Sequence, residues 1–231
     1  MKFDYDEIGT TSEYGLRWYQ TKFGAYPSIT TVLSFTQSDE EQKILQNWRN
    51  SVGREEADRI SKKATDHGTT VHLLAERFFK NEDVFAPING TPVSQVDISA
   101  FNVLKSKLKN ISEVWGQEVP LLSKELKVAG RCDLIGVHRG IPVIVDFKTS
   151  SRIKTKDDIK NYELQLLCYA ICHNEMFGTS IDTGVILMVA QSGFPLEFIV
   201  KFTPELRERL TDKIELFYTK FNDKYNINVK N

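Results

Sequence analysis

Two aspartates and a lysine lie on either side of one tight turn in the middle of the sequence. Asp133 precedes the dipeptide Arg139-Gly140, and Asp146 and Lys148 follow it. The flanking runs are apolar or alternate with a period of two, as strands do, and Gly at the second position suits a two-residue hairpin loop. The register of such a hairpin places Asp133 opposite Asp146 on one face, and Lys148 shares that face.

Carboxylates held opposite each other repel unless a cation lies between them. A hard divalent ion such as Mg²⁺ prefers carboxylate oxygens and would supply that charge. A metal beside a lysine suits phosphodiester hydrolysis, because the metal lowers the pKa of bound water and neutralises charge on the phosphate. Lys148 would orient or deprotonate that water, or stabilise the developing oxyanion. The alternative interpretation is a surface charge cluster in which Lys148 neutralises one acid.

The segment from Gly68 to Lys80 can bring further polar groups to the hairpin. Its apolar residues recur at helical spacing, which predicts an amphipathic helix, separate from a charged helix over 54–65. His72 and Glu76 lie one turn apart beside the apolar stripe. Taken alone, this pattern is more typical of a half-buried structural histidine beside a solvated glutamate than of a pair of ligands.

Two elements flank the hairpin in the sequence. A helix over 95–114 precedes a strand over 117–126, and that strand carries Glu118, whose direction the pattern leaves open. After the hairpin, a helix to about residue 177 carries Gln165 and Tyr169 one turn apart. On their own, these two residues would be polar groups of a helix surface.

Periodicity also predicts the supporting elements. They are irregular strands or a hairpin over 1–26, a short helix capped by Ser28, a helix over 39–50, strands over 183–190 and 195–202, and a long last helix beginning at Thr203. The run at 183–190 is continuously apolar, as expected of a central strand covered on both faces. Three aromatic residues are candidates for stacking on bases, with core packing as the alternative: Tyr14, Trp18 and Trp48.

The strongest local cluster of basic residues follows the hairpin directly. It consists of Arg152, Lys154, Lys156 and Lys160. Because this basic segment adjoins the predicted metal site, it is a candidate for contacts with nucleic-acid phosphates. Thr155, with Asp158 three residues later, predicts a capping box for the next helix.

Composition excludes several other classes of protein. The 231 residues are 41% hydrophobic and 26% charged, as in soluble globular proteins, and the net charge of −1 gives no overall attraction to DNA or membranes. Three cysteines without a CxxC pattern indicate buried thiols in a reducing, intracellular and cytoplasmic setting. We expect no signal, transit or transmembrane segment, because the N-terminus is acidic and no apolar run of about 18 residues occurs.

The hairpin motifs resemble those of the PD-(D/E)XK nuclease superfamily. Gly-Arg-Cys-Asp133, followed by Asp146-Phe-Lys148-Thr-Ser, is similar to motifs II and III of that superfamily. Gln165-Leu-Leu-Cys-Tyr169 resembles the Q-x-x-x-Y motif of its RecB-like exonuclease branch. These three motifs occur in the expected order.

Upstream segments extend this resemblance. Gly68-Thr-Thr-Val-His72 is similar to the G-x-x-x-H motif of the RecB-like branch, and Tyr26-Pro-Ser-Ile-Thr-Thr-Val-Leu33 also looks like that group. The likeness is strongest to the mitochondrial genome maintenance exonuclease family and its phage relatives, and it covers roughly residues 26–203.

The resemblance implies a restriction-endonuclease-like fold of the mixed α/β (α+β) class. A mixed central sheet would be flanked by helices, with an N-terminal helical elaboration. It also implies a single nuclease domain over 1–231. Its expected parts are an N-terminal elaboration over 1–66, a nuclease core over 67–203 and a C-terminal helix over 204–231.

The same resemblance implies roles for individual residues. Asp133 and Asp146 would bind Mg²⁺, for which Mn²⁺ would substitute, together with the backbone carbonyl of Phe147. His72 would be a further metal ligand, which reverses the interpretation of that residue taken alone, and Lys148 would be the catalytic lysine. The accessory or substrate-positioning residues would be Gln165, Tyr169, Glu118 and Glu76. The four-cysteine iron–sulfur signature of some relatives does not occur in the sequence, so we expect no cluster.

Together with the resemblance, these features predict a metal-dependent exonuclease that acts on single-stranded DNA ends in replication, repair or recombination. Its expected partners are DNA and replication or recombination proteins. One alternative is a structure-specific or double-strand-processing endonuclease on the same fold, because the motifs specify bond cleavage rather than access. A second is a catalytically silent DNA-binding module, which the retained acids and lysine disfavour. A third is a metal-binding structural hairpin without a nucleic-acid partner.

Overall fold

A computed structural model describes residues 2–227; Met1 and the end of the predicted 204–231 segment lie outside that range. The strands are β1 (Gly9–Glu13), β2 (Leu16–Thr21), β3 (Gly24–Pro27), β4 (Ile111–Ser123), β5 (Val128–His138), β6 (Ile141–Ser150), β7 (Thr183–Ala190) and β8 (Pro195–Lys201). The helices are α1 (Ile29–Phe35), α2 (Asp39–Val52), α3 (Arg54–Phe79), α4 (Gln95–Leu108), α5 (Lys160–Phe177) and α6 (Pro204–Tyr225), with a 3₁₀ turn at Lys156–Ile159.

The five-stranded central sheet has the order β4-β5-β6-β7-β8. Its neighbours are antiparallel except β6 and β7, which are parallel because α5 crosses between them. Residues of α3 and α4 form one hydrophobic cluster with the sheet, and residues of α5 and α6 form the other. The predicted mixed sheet between helices is therefore confirmed. Every residue of β7 is buried, as predicted for a central strand.

The N-terminal segment forms a separate three-stranded antiparallel sheet, β1-β2-β3, where strands or a hairpin were the expectation. Ser28 caps α1 as predicted, since its side chain accepts a hydrogen bond from the Thr31 N–H. Trp18 is only 4% exposed, and its ring packs on those of Phe217 and Phe221 in α6. The predicted alternative of core packing therefore applies to Trp18.

Two predicted helix boundaries are wrong. The two helices predicted over 54–65 and from Gly68 to Lys80 are one continuous helix, α3, which ends at Phe79 with Lys80 as its C-cap. The expected start of the nuclease core, after residue 66, falls inside this helix. Gly in a helix interior is about 1 kcal/mol less favourable than Ala. Packing of the α3 residues that follow Gly68 outweighs this cost. α4 ends at Leu108 instead of 114, because Ile111 already pairs with His138 and starts β4. None of the helices in the described range has the length and apolar character needed to cross a bilayer.

Candidate active site

The β5–β6 hairpin has the predicted register. Its pairs run from His138↔Ile141 at the turn to Leu134↔Val145, and they end one position before Asp133. There the N–H of Phe147 donates a hydrogen bond of 2.8 Å to Oδ2 of Asp133. The two strands separate at this point because a side-chain carboxylate, and not the backbone, accepts that hydrogen bond.

Asp146 and Lys148 form a close ion pair in the interior. The distance from Lys148 Nζ to Asp146 Oδ1 is 2.6 Å, and the Asp146 side chain is 1% exposed. Burial raises the pKa of Asp146 to about 6, against the attraction of Lys148 and with further repulsion from Asp133. Burial lowers the pKa of Lys148, but the negative charges of Asp146 and Asp133 outweigh this effect and raise it.

One carboxylate oxygen of this ion pair has no hydrogen-bond partner in the described part of the chain. Oδ2 of Asp146 is buried and accepts no hydrogen bond from any described residue. A buried carboxylate oxygen without a donor is costly, because it has lost its water and gained nothing in return. Such an atom fits a position that faces a bound cation.

His72 reaches the hairpin from α3, as the resemblance implies and the isolated helix pattern did not indicate. Its Nδ1 lies 3.5 Å from Oδ2 of Asp133. The His72 ring meets the Phe147 ring edge to face, with centroids 5.9 Å apart. Gly68 lies one turn earlier in α3, and a Cβ at that position would be 3.4 Å from Oγ1 of Thr149. α3 therefore passes close to the end of β6 at Gly68.

Glu118 lies across from Asp133 on β4. The register pairs Gln117 with Leu134 and Val119 with Cys132, which leaves Glu118 facing Asp133 without a backbone pair. The φ angle of Glu118 is 49°, an unfavourable conformation for a residue with a side chain. The Arg131 guanidinium donates a hydrogen bond to the Glu118 carbonyl.

Burial and the neighbouring charge of Asp133 raise the pKa of Glu118 to about 7. Ligand atoms of His72, Glu118 and Asp133 all lie within 4.8 Å of one another, which is a spacing that a metal ion can bridge. His72 and Glu118 also line a cavity of about 630 Å³ next to Glu76. Glu76 itself forms an ion pair with Lys80, 2.6 Å apart.

Gln165 and Tyr169 pack against β5 from α5. The Gln165 Nε2 lies 3.3 Å from the Tyr169 hydroxyl, and both side chains are buried. Tyr169 packs directly over Gly130, where an added Cβ would be 2.6 Å from Cε1 of the ring. Tyr169 therefore contacts β5 three residues before Asp133, and Gln165 is hydrogen-bonded to it.

Tyr162 contacts the lysine instead. Its ring centroid is 5.1 Å from Lys148 Nζ. None of the sequence motifs includes Tyr162 as a site residue. It lies on the α5 stripe of Gln165 and Tyr169, three residues before the first, and that spacing is the signal that would have found it.

Ion pairs partly neutralise the basic segment. The guanidinium of Arg152 binds both carboxylate oxygens of Asp158, and Lys160 pairs with Asp157 at 3.0 Å. Lys154 and Lys156 form no salt bridge with any residue between 2 and 227. The predicted capping box of Thr155 and Asp158 is present and opens the 3₁₀ turn before α5.

Residues 94–213 match the sequence model of the PD-(D/E)XK nuclease superfamily. The match covers more than half of the chain and includes the hairpin and α5. This chain therefore belongs to the PD-(D/E)XK nuclease superfamily, as the resemblance implies.

A mouse (Mus musculus) protein, Mitochondrial genome maintenance exonuclease 1, is 25% identical over 177 residues, which make up 73% of this chain and 51% of the mouse protein. The chain thus spans about half the length of that relative. The crystal structure of a candidate exonuclease from Eubacterium rectale aligns with a TM-score of 0.50 and 16% identity, covering 71% of this chain and 68% of that one. At this identity, the similarity shows the fold alone.

Proposed function

We propose that this chain is a metal-dependent DNA exonuclease that hydrolyses phosphodiester bonds, with single-stranded ends as its preferred substrate. The observation that carries the proposal is the buried Oδ2 of Asp146, which has no hydrogen-bond donor among residues 2–227 and belongs to the carboxylate paired with Lys148. Membership of a nuclease superfamily and the printed name of the mouse relative support the reaction class.

The donor set fits a hard divalent cation. Asp133 and Asp146 would hold it, with His72 and Glu118 completing the protein ligands. The carbonyl of Phe147 supports this arrangement, because the N–H and C=O of one strand residue point to the same edge, and its N–H points to Asp133. When bound, Mg²⁺ would lower the pKa of a water and neutralise phosphate charge. The carboxylate and carbonyl ligands suit Mn²⁺ as well, so Mn²⁺ would substitute for Mg²⁺.

The remaining residues would act on the substrate directly or hold the site in place. Lys148 would stabilise negative charge that develops on the phosphate. Gln165 and Tyr169 would set the position of the β5 strand that carries Asp133. Lys154 and Lys156 are the members of the basic segment that would contact phosphates, since their ammonium groups form no salt bridge within the described part of the chain.

DNA is proposed as the substrate in replication, repair or recombination, by analogy with the genome-maintenance function in the name of the mouse relative. The three buried, unpaired cysteines support a reducing intracellular environment. The rival proposal of an endonuclease on the same fold uses the same bond-cleaving residues and differs only in how DNA reaches them.

The test is degradation of an end-labelled single-stranded oligonucleotide in Mg²⁺ or in EDTA. We expect cleavage only with metal, and loss of at least about a thousandfold for Lys148→Ala, because a preorganised charge is removed from the reaction centre. Lys22→Ala is the matched control, since Lys22 is exposed and lies in the turn between β2 and β3. We expect that control to cleave at the wild-type rate.

A circular single strand of the same sequence distinguishes the two nuclease proposals. An exonuclease leaves the circle intact and degrades the linear strand, whereas cleavage of circles would establish the endonuclease. A wild-type protein that binds DNA and cleaves no form of it would establish the silent module instead.

A further inference from the structure

The ammonium group of Lys148 contacts two side chains. The Asp146 carboxylate lies 2.6 Å from Nζ, and the centroid of the Tyr162 ring lies 5.1 Å from it. The lysine side chain is 19% exposed, so it has little freedom to sample other positions. Asp146 belongs to the predicted motif, whereas nothing so far assigns a function to Tyr162.

An aromatic ring attracts an ammonium group placed over its face, because the face of the ring carries partial negative charge. Burial raises the pKa of Tyr162, so the phenol is neutral and the attraction acts through the ring and not through a phenolate. The interaction strengthens as water is excluded, and this site is largely buried.

The start of α5 is fixed independently of the lysine. Tyr162 is the third residue of that helix, directly after the 3₁₀ turn. The carboxylate of Asp158 accepts hydrogen bonds from the Thr155 N–H and from the Arg152 guanidinium, which ties the turn to the end of β6. The basic segment therefore also braces the helix that carries Tyr162.

We propose that Tyr162 is a positioning residue whose ring holds the Lys148 ammonium against Asp146, at the place where the phosphate reacts. This inference rests on the proposed nuclease function. It assigns to Tyr162 a contribution separate from those proposed for Gln165 and Tyr169, since the Tyr162 ring itself contacts the ammonium group. Because Lys148 would act on charge that develops in the transition state, a misplaced ammonium lowers kcat more than it changes KM.

Two substitutions separate the ring from the hydroxyl. Tyr162→Phe keeps the aromatic face and removes only the oxygen, so we expect kcat within about twofold of wild type. Tyr162→Leu keeps apolar bulk and removes the face, and we expect kcat to fall about tenfold with KM unchanged, within the strength of a largely buried cation–π contact. Steady-state cleavage of a labelled single-stranded oligonucleotide measures both constants.

Tyr225→Leu is the matched control, because it makes the same exchange at another half-buried tyrosine, whose ring packs on those of Phe221 and Tyr14 at the end of α6. A thermal melt of each variant verifies folding. Should Tyr162→Leu not fold, Tyr162→Met replaces it with the same expected loss.

Three results would overturn the inference. They are an unchanged kcat in Tyr162→Leu, an equal loss in Tyr162→Phe, and a loss confined to KM. Wild-type activity separates these results from failure of the proposed function. An inactive wild type refutes the nuclease and the inference together, whereas an active wild type with a fully active Tyr162→Leu refutes the inference alone.

Discussion

Replacement of Glu118 by Gln should make the metal-free protein more stable while it removes a candidate ligand. Glu118 is partly buried, and its carboxylate lies within 4.8 Å of groups on Asp133 and His72. Burial and repulsion from Asp133 disfavour its charged form in the folded state. Gln has the same shape and no charge, and the backbone strain at φ 49° is common to both residues.

The pKa of Glu118 in the folded protein is about 7, compared with 4.5 for an unperturbed glutamate. Between these values the folded state binds more protons than the unfolded state, so the free energy of unfolding falls as pH rises through the window. The difference corresponds to about 3 kcal/mol, and partial screening by solvent reduces it to about 2 kcal/mol. The Glu118→Gln variant has no charge at this position, so its free energy of unfolding does not fall in this way as the pH rises.

Urea unfolding in EDTA at pH 5 and pH 8 measures the effect. At pH 8 we expect Glu118→Gln to exceed wild type by about 2 kcal/mol, and at pH 5 by less than about 1 kcal/mol, since the wild-type side chain is then mostly protonated. Glu113→Gln is the matched control, because it removes the same charge from an exposed site on β4. Excess Mg²⁺ should reduce the difference in stability between Glu118→Gln and wild type at pH 8, because the wild-type protein binds Mg²⁺ more tightly. Equal stability at pH 8 in EDTA, or a less stable variant, would refute the reasoning.

Other predictions concern packing, buried charge and capping. Gly130→Ala should lower the free energy of unfolding in urea by about 2 kcal/mol, because its Cβ would overlap the Tyr169 ring, whereas Gly9→Ala, with open space around it, should change little. Glu197→Ala should lower the free energy of unfolding by about 3 kcal/mol, because three basic side chains surround this nearly buried carboxylate. An unchanged melting temperature would show that Glu197 does not stabilise the fold. Thr203→Ala should lower the free energy of unfolding by about 1 kcal/mol through loss of the α6 N-cap, and equal urea midpoints would show that the cap is dispensable.

The hairpin could be predicted because its determinants are local. A two-residue turn fixes the register, and both Arg139 and Gly140 adopt the positive φ that such a turn needs. Once the register is fixed, the positions of Asp133, Asp146 and Lys148 follow from the pleat of the strands. The Ser28 and Thr203 caps are local in the same sense, because each side chain bonds to a backbone N–H three residues ahead.

Features that depend on tertiary packing could not be predicted in this way. The continuity of α3 through Gly68 depends on the packing of its second half against the sheet, and the early end of α4 depends on strand pairing by Ile111. The approach of Tyr162 to Lys148 joins an element after the hairpin to one within it. Sequence periodicity places each of these residues on a face and leaves its partner open.

The site occupies one row across β4, β5 and β6, at which β5 forms no backbone pair with either neighbouring strand. In register, Glu118 of β4 faces Asp133 of β5, and Asp133 faces Asp146 of β6, yet neither position forms a backbone pair. Three carboxylates on adjacent strands repel at the spacing of a sheet, so pairing there would hold like charges together. The same row contains the positive φ of Glu118, the hydrogen bond that the Phe147 N–H donates to Asp133, and the Asp146 Oδ2 that lacks a donor among the described residues. A cation within this row would offset the repulsion in both neighbouring pairs of carboxylates, which is why we propose the residues of this row as ligands.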